Sequence, residues 1–175
     1  LTVKIFALMG FLCGLAALVA QARLQSHGND IGMLEELRVI AAAVIGGTTA
    51  SERNVITNSA DDGITIVGAG LTGHLIQGNY IGVDADGASG NGNTDLAIIS
   101  GSGNTIGGTS AVARNVISKN NEGIEINTAD NVVQGNYIGT DALGTLNRGN
   151  RTSDGVQLQG NASGNTIGGS AAGAG

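Results

Sequence analysis

The chain lacks proline and tryptophan, has a single cysteine, and carries few charged or aromatic residues. Without proline or a Gly-X-Y period, its 31 glycines do not indicate collagen. A total of 8 Lys and Arg against 14 Asp and Glu gives a net charge of −6, which argues against binding to a nucleic-acid backbone. Only 13% of the residues are charged, yet the aliphatic residues are regularly placed, so the composition is not that of a disordered chain.

Residues 1–22 have the pattern of a secretory signal peptide. Lys4 precedes an uncharged apolar block from Ile5 to Ala20, which is shorter than the ~20 residues that a membrane-spanning helix needs. Small residues precede the bond between Ala22 and Arg23 and predict cleavage there, with a retained membrane anchor as the alternative. Because Cys13 lies in this leader, the mature chain is expected to have neither disulfides nor a thiol nucleophile.

Residues 23–42 connect the leader to the repeats. Asn29 or Asp30 can cap a helix that extends to about Ala42, with acidic residues near its positive end. We expect this helical segment to cap the first repeat and cover an open strand edge. A plain linker is the alternative.

Residues 43–175 are built from internal repeats. The phrase Gln-Gly-Asn-Tyr-Ile-Gly begins at Gln77 and again at Gln134. Ile-Gly-Gly recurs at two equal intervals, at Ile45, Ile106 and Ile167. A fixed period of this length indicates a solenoid, in which each unit buries its apolar face by stacking on its neighbours.

Aligned on their asparagines, the repeats predict four coils of three short strands and the start of a fifth. The coils begin at Ala43, His74, Asn104, Asn131 and Asn165, so two coils make up one Ile-Gly-Gly period. The first strands are expected at 43–47, 74–78, 104–108, 131–135 and 165–169. The second strands are expected at 54–57, 79–82, 115–118 and 136–139. The third strands are expected at 63–66, 95–98, 123–126 and 155–158. Because side chains alternate along a strand, parity places an aliphatic column inside each sheet.

Asparagine forms further columns with the same inward parity. A buried amide is costly unless it is hydrogen-bonded, but amides stacked ~4.8 Å apart can bond one another along the axis. We therefore predict structural asparagine ladders without a catalytic role. They comprise Asn54, Asn79, Asn115 and Asn136 in one column and Asn104, Asn131 and Asn165 in another. His74 occupies a position of the second column and is expected to substitute for its asparagine.

The alternation of Asn-Thr-Ile-Gly-Gly, Arg-Asn-Val-Ile-Ser and Gln-Gly-Asn-Tyr-Ile-Gly-Thr-Asp over residues 43–175 resembles the right-handed parallel β-helix repeats of large secreted or surface-anchored bacterial proteins. The resemblance implies an all-β, right-handed solenoid and a secreted or cell-surface location. It also implies a longer parent chain, since the sequence stops inside a coil at Gly175.

The wider class of β-helix proteins includes pectin hydrolases and polysaccharide lyases, so a carbohydrate-active enzyme is the alternative function. Asn93-Thr-Asp95, Asp61-Asp62 and Gly73-His74 echo parts of the pectin hydrolase active site. Their order differs, however, and the sequence has no Gly-His-Gly or Arg-x-Lys element. We assign no catalytic residue and expect no enzymatic activity.

Two surface features suggest binding. Val55, Tyr80, Val116 and Tyr137 are predicted to point outward from the second strands, with the tyrosines ~9.6 Å apart. Such a stripe suits stacking on the sugar rings of a polysaccharide or cell-surface glycan, unless the loops at 83–94 and 140–154 fold back over it. These loops are the alternative that parity alone leaves open.

The loop after the second strand of the second coil carries Asp84 and Asp86. Their spaced oxygens can hold Ca²⁺, but an isolated Asp-x-Asp-Gly favours a turn over a metal site. Arg53 and Arg114 are expected to be solvated or paired with neighbouring glutamates.

Overall fold

The computed structural model describes residues 43–68, 70, 72–98, 101–152 and 154–173. This part of the chain contains thirteen short β-strands and one 3₁₀ turn, and it has no α-helix. The predicted signal peptide at 1–22 and the predicted helical cap or linker at 23–42 lie outside the described residues.

The strands occupy the predicted positions, each somewhat shorter than predicted. They are β1 (Val44–Gly46), β2 (Val55–Ile56), β3 (Ile64–Ile66), β4 (Leu75–Gln77), β5 (Tyr80–Ile81), β6 (Leu96–Ile98), β7 (Thr105–Gly107), β8 (Val116–Ile117), β9 (Ile124–Ile126), β10 (Val132–Gln134), β11 (Tyr137–Ile138), β12 (Val156–Leu158) and β13 (Thr166–Ile167). The 3₁₀ turn, Ala111–Ala113, lies between β7 and β8 and was not predicted. Its Ala113 carbonyl accepts the Gly78 amide at 3.1 Å, which ties the turn to the preceding repeat.

The strands form three parallel sheets, which the chain visits in strict rotation. Sheet A has the order β1-β4-β7-β10-β13, sheet B β2-β5-β8-β11, and sheet C β3-β6-β9-β12. All neighbouring strands pair in parallel. We call each consecutive set of three strands a repeat, so repeat one is β1–β3, repeat four is β10–β12, and β13 opens a fifth.

The register of sheet A matches the alignment made from the sequence. Val44 pairs with Leu75, Leu75 with Thr105, Thr105 with Val132, and Val132 with Thr166. Each of these residues directly follows the predicted start of its coil, so the observed offsets are the predicted coil lengths. The loops therefore absorb the differences in repeat length, and the strands stay in register.

Aliphatic side chains from all three sheets form one core. Ile106 of sheet A, Ile81 of sheet B and Ile124 of sheet C are each fully buried. The core thins toward the last strands, where Ile167 and Leu158 are both 48% exposed. Because β-branched side chains fit a pleated surface, isoleucine and valine dominate these columns. The predicted inward columns are thus confirmed in the middle repeats.

Glycine ends the strands of sheet A for a steric reason. Gly46 and Gly107 have φ of +80° and +85°, a left-handed conformation that residues with a Cβ rarely adopt. A Cβ at these positions would also collide with the carbonyl oxygens of Gln77 and Gln134 in the following repeat. The recurring Ile-Gly-Gly motif therefore marks a close approach of one repeat to the next.

Candidate functional site

The first predicted asparagine ladder is present beside sheet B. The side-chain amide of Asn54 donates to Oδ1 of Asn79 at 3.0 Å, Asn79 donates to Asn115 at 3.1 Å, and Asn115 donates to Asn136 at 2.9 Å. Each of these Oδ1 atoms also accepts the backbone amide of the preceding ladder residue. The second N–H of Asn115 donates to the carbonyl of Ile76 at 2.8 Å. An amide in the middle of the ladder therefore uses its donors and its acceptor fully.

The second ladder lies beside sheet A and begins with His74. Asn104 donates to Asn131 at 2.9 Å, and Asn131 donates to Asn165 at 3.0 Å. His74 Nδ1 accepts the backbone amide of Ala43 at 2.9 Å, and the His74 amide donates to Oδ1 of Asn104 at 3.0 Å. His74 thus takes the place of an asparagine in this ladder, as predicted. Its Nδ1 must be unprotonated to accept this bond. His74 Nε2 is buried and has no hydrogen-bond partner among the described residues.

A third ladder, which the sequence alignment missed, precedes the strands of sheet C. The backbone amide of Ser59 donates to Oδ1 of Asn93 at 3.0 Å, and the side-chain amide of Asn93 donates to Oδ1 of Asn120 at 3.2 Å. The backbone amide of Asn120 donates to Oδ1 of Asn150 at 3.2 Å. The members of this column lie at different distances in sequence from the next strand of sheet C, so aligning the repeats on their strands did not place them together. However, Ser59 and Asn120 are one Ile-Gly-Gly period apart, and this spacing would have indicated the ladder. Asn93 is thus a structural residue.

The four positions predicted as an outward stripe lie in one column of sheet B. Val55 pairs with Tyr80, Tyr80 with Val116, and Val116 with Tyr137. Val55 is exposed, both tyrosines are half-buried, and Val116 is buried. The column exists as predicted, but its exposure is uneven along the stack.

An arginine from the preceding repeat covers each of these tyrosines. The guanidinium carbon of Arg53 lies 4.1 Å from the centre of the Tyr80 ring, and that of Arg114 lies 4.0 Å from the Tyr137 ring. Each Nε also donates to a glycine carbonyl of the following repeat, at 3.2 and 2.9 Å. Arg53 is exposed, in agreement with the predicted solvated arginine, and Arg114 is half-buried, but the contact of each guanidinium with a tyrosine ring was not predicted. A guanidinium gains more from a ring face and a partly buried carbonyl than from an exposed ion pair.

The two long loops after β5 and β11 fold back over the tyrosines. Gly87 and Gly144, one from each loop, lie so close that an added Cβ would sit 3.1 Å from the Tyr80 ring and 3.0 Å from the Tyr137 ring. The alternative in which the loops cover the stripe is therefore the one observed. Stacking of a sugar on these rings would need a face that neither the arginine nor the loop occupies.

The carboxylates of Asp84 and Asp86 close their own loop. Asp86 Oδ1 accepts the amides of Ala88 and Ser89, both at 2.9 Å. The Ser89 hydroxyl donates to Asp86 at 2.6 Å and to Asp84 at 3.3 Å. These bonds, the hydroxyl first, lower the pKa of Asp86 to about 2. Asp141 accepts backbone amides in the corresponding later loop, where they lower its pKa. This geometry is that of an aspartate-stabilised turn.

Acidic side chains from three repeats meet where the strands of sheet C begin. One carboxylate oxygen each from Asp95, Glu122 and Glu125 lie within 4.8 Å of one another. Asp62 of repeat one adjoins Asp95 of repeat two, with which it interacts by charge and hydrogen bonding. Asp95 is only 4% exposed, whereas the two glutamates of repeat three are half-buried. We call these four residues the acidic cluster.

Burial is the main cause that raises the pKa of Asp95 to about 7. The charge of Asp62, its hydrogen bond, and the charges of Glu125 and Glu122 raise it further. A carboxyl with this pKa can gain or lose a proton near neutral pH, as a general acid or base does. Oxygen ligands at this spacing can equally hold a hard cation. The cluster is the only group of three metal-ligating side chains found among the described residues.

The acidic cluster was not predicted from the sequence because its members come from different columns. Asp95 replaces a turn glycine, in register between Gly63 and Gly123. Asp62 and Glu122 precede those glycines, and Glu125 lies at an outward position of β9. A column-by-column alignment that included the residues before each strand of sheet C would have brought the four acids together.

Among the described residues, no helix is long and apolar enough to cross a membrane. No protein-family model, curated protein or solved structure matches this chain. What the molecule does must therefore be inferred from its own residues and their geometry.

Proposed function

We propose that residues 43–175 form a right-handed parallel β-helix that serves as a rigid, non-enzymatic segment of an exported bacterial surface protein. Three parallel sheets visited in rotation, with strands in register, support the β-helix. The right-handed winding is supported by the strong preference of parallel strand crossovers for that hand, and by the repeat phrases. A crystal structure with a left-handed winding would contradict this part of the proposal.

The asparagine ladders are the observation on which the structural role rests. Three columns of amides join one repeat to the next, and Asn115 at the centre of the first column uses both side-chain N–H groups and its oxygen within the ladder and core. Such a stack resists bending because each repeat is bonded to its neighbours in the core as well as through the sheets. A long, stiff element of this kind suits a stalk or spacer at a cell surface.

Hydrogen exchange tests the stiffness of the stack. We expect the backbone amides of Asn79, Asn104 and Asn115, which donate to ladder oxygens, to exchange only through global unfolding. The backbone amide of Leu143, a residue that is 78% exposed in a loop, serves as the internal control and should exchange rapidly. Rapid exchange of the ladder amides under native conditions would contradict the proposal.

Contact with glycans along the outer face of sheet B is the adhesive part of the proposal. The Arg53–Tyr80 and Arg114–Tyr137 pairs lie two repeats apart, and both tyrosines keep part of their surface exposed beside the arginines and loops that cover them. On a glycan array, a Tyr80→Ala/Tyr137→Ala variant should lose the binding that the parent chain shows. A Tyr80→Phe/Tyr137→Phe variant keeps the rings and serves as the matched control. Unchanged binding by the alanine variant would remove glycan contact from the proposal.

Export is proposed from the leader at 1–22 and from the resemblance of the repeats. In a bacterial host, the exported product should begin at Arg23, as read by mass spectrometry of its N-terminal peptide. A product that keeps residues 1–22 and stays with the cells would contradict cleavage and export.

A carbohydrate-active enzyme is the second candidate, and the acidic cluster is the observation that favours it. The raised pKa of Asp95 fits a general acid. However, the sequence has neither the Gly-His-Gly nor the Arg-x-Lys element that accompanies the acids of pectin hydrolases. Assays on pectin and alginate should release no product. Release that is lost in a Glu122→Gln variant would establish the enzyme instead.

A further inference from the structure

The acidic cluster has the composition and spacing of a cation site. Its ligand atoms are carboxylate oxygens from Asp95, Glu122 and Glu125, with Asp62 adjoining them. Oxygen-only ligand sets suit hard divalent cations. We propose that this cluster binds one Ca²⁺ and thereby joins repeats two and three, a role separate from the stiffness that the ladders supply.

The unpartnered oxygen of Asp95 is the second observation that points to a ligand. Asp95 is only 4% exposed, and its Oδ1 accepts no hydrogen bond within the described part of the chain. A buried carboxylate oxygen without a donor is costly, and such atoms are rare in folded proteins. One oxygen of this side chain lies within 4.8 Å of a carboxylate oxygen of each of the two glutamates, whose charges repel it. A bound cation would both supply a partner for Asp95 Oδ1 and offset the repulsion between the carboxylates.

The surrounding groups orient the carboxylates without neutralising them. The Asn127 side-chain amide donates to Glu125 at 2.6 Å, and the Thr65 hydroxyl donates to Asp62 at 2.9 Å. Both donors are neutral, and the charged groups found to act on Asp95 are all acids. Neutral partners that fix the ligands in place are the usual outer shell of a metal site. The net negative charge of the cluster is left for the ion.

The cluster suits Ca²⁺ better than Mg²⁺ because of its irregular ligand set. Its oxygens, all within 4.8 Å of one another, are close enough to share one Ca²⁺, which accepts six to eight oxygen ligands in flexible geometry. Mg²⁺ demands nearly ideal octahedral geometry and gives up its water ligands reluctantly. Glu122 and Glu125 are half-buried, so their side of the cluster gives an ion and its remaining water ligands access.

Calorimetric titration of the chelator-treated chain with CaCl₂ tests the site. We expect one Ca²⁺ per chain with a Kd on the order of 10⁻⁴–10⁻³ M, as for sites with few protein ligands. At ten times the Kd, the melting temperature should rise by ~3–6 °C. MgCl₂ should bind at least about tenfold more weakly, given its smaller shell.

Glu122→Gln is the decisive variant, because this half-buried side chain can lose its charge without disturbing the core. It should weaken Ca²⁺ binding at least about tenfold while its circular dichroism spectrum stays unchanged. Asp84→Asn, in the exposed loop with the other spaced acids, is the matched control and should bind as the parent does. Ca²⁺ binding that survives Glu122→Gln but is lost in Asp84→Asn would overturn the proposal. So would the absence of heat and of any rise in melting temperature at about 10 mM CaCl₂, roughly ten times the upper Kd.

Discussion

Two regions of this molecule bury polar side chains with opposite results. In the asparagine ladders, each amide both donates and accepts, so an identical residue one repeat away is a good partner. In the acidic cluster, ionised carboxylates from different columns can only accept hydrogen bonds, so they repel one another. A parallel in-register stack places equivalent residues of successive repeats side by side, and it therefore favours asparagine within a column. Acids that meet from neighbouring columns are costly unless something binds them.

The largest expected effect comes from breaking a ladder at its centre. Asn115→Ala removes an oxygen that accepts two bonds from Asn79 and an amide that donates to Asn136. Because the groups left behind are buried, the free energy of unfolding should fall by about 3 kcal/mol. Urea denaturation measures it. Asn161→Ala, at an exposed position, is the control and should change it by less than about 0.5 kcal/mol. Equal effects of the two variants would contradict the stabilising role of the ladder.

Removing a charge from the acidic cluster should raise the free energy of unfolding, whereas breaking a ladder should lower it. The folded pKa of Asp95, about 7, lies above its ordinary value of 3.8. Its contribution to stability is therefore full below about pH 4 and is lost as pH rises through 7. In chelating buffer at pH 8, Asp95→Asn should be more stable than the parent by about 2 kcal/mol, roughly half the unscreened value because solvent reaches the glutamates.

At pH 4 the two proteins should differ little, because the Asp95 carboxyl of the parent is then protonated in the folded state. Urea denaturation from pH 4 to pH 8 follows the difference. A difference that does not grow with pH would show that burial and the neighbouring acids do not raise the pKa of Asp95 in the folded chain.

His74 is intermediate between the fully hydrogen-bonded ladder amides and the carboxylates of the acidic cluster. One of its ring nitrogens is hydrogen-bonded, and the other has no partner among the described residues. His74→Asn should restore an amide that accepts from Ala43 and donates toward Asn104. We expect a gain of about 1 kcal/mol in the free energy of unfolding, because the unpartnered buried nitrogen is removed. The reverse change, Asn104→His, should destabilise the chain. A loss of stability in His74→Asn would mean that packing of the larger ring outweighs the hydrogen bond.

The smallest effect is expected at Asp86, an acid that neutral donors surround. Its pKa of about 2 lies below the ordinary 3.8, so its contribution is present above pH 3.8 and lost as pH falls through 2. The amide chemical shifts of Ala88 and Ser89 should titrate with a midpoint near 2. Asp86→Asn should abolish that titration and leave global unfolding unchanged. A midpoint near the ordinary value would contradict the hydrogen bonding described here.

Strand positions, register and two ladders were predictable from the sequence. Equivalent positions of successive repeats meet the same structural requirement and so carry the same kinds of residue. Gly46 and Gly107 mark a close approach, and Asn79 and Asn136 mark a corner with a buried amide. The third ladder was missed, since loops of different length separate Asn93 from its next strand and Asn120 from its own. A comparison of spacings between alternate repeats would have recovered it.

The sequence by itself determined the parallel stacking, the apolar columns and the role of most asparagines, because each follows from a residue and its counterpart one period away. Only the tertiary structure determined which side chains of different columns contact one another. Arg114 lies over Tyr137, a loop covers the ring from elsewhere, and Asp62, Asp95 and Glu122 converge from three repeats. Contacts between different columns depend on loop paths and side-chain directions in space, which a repeat period does not encode.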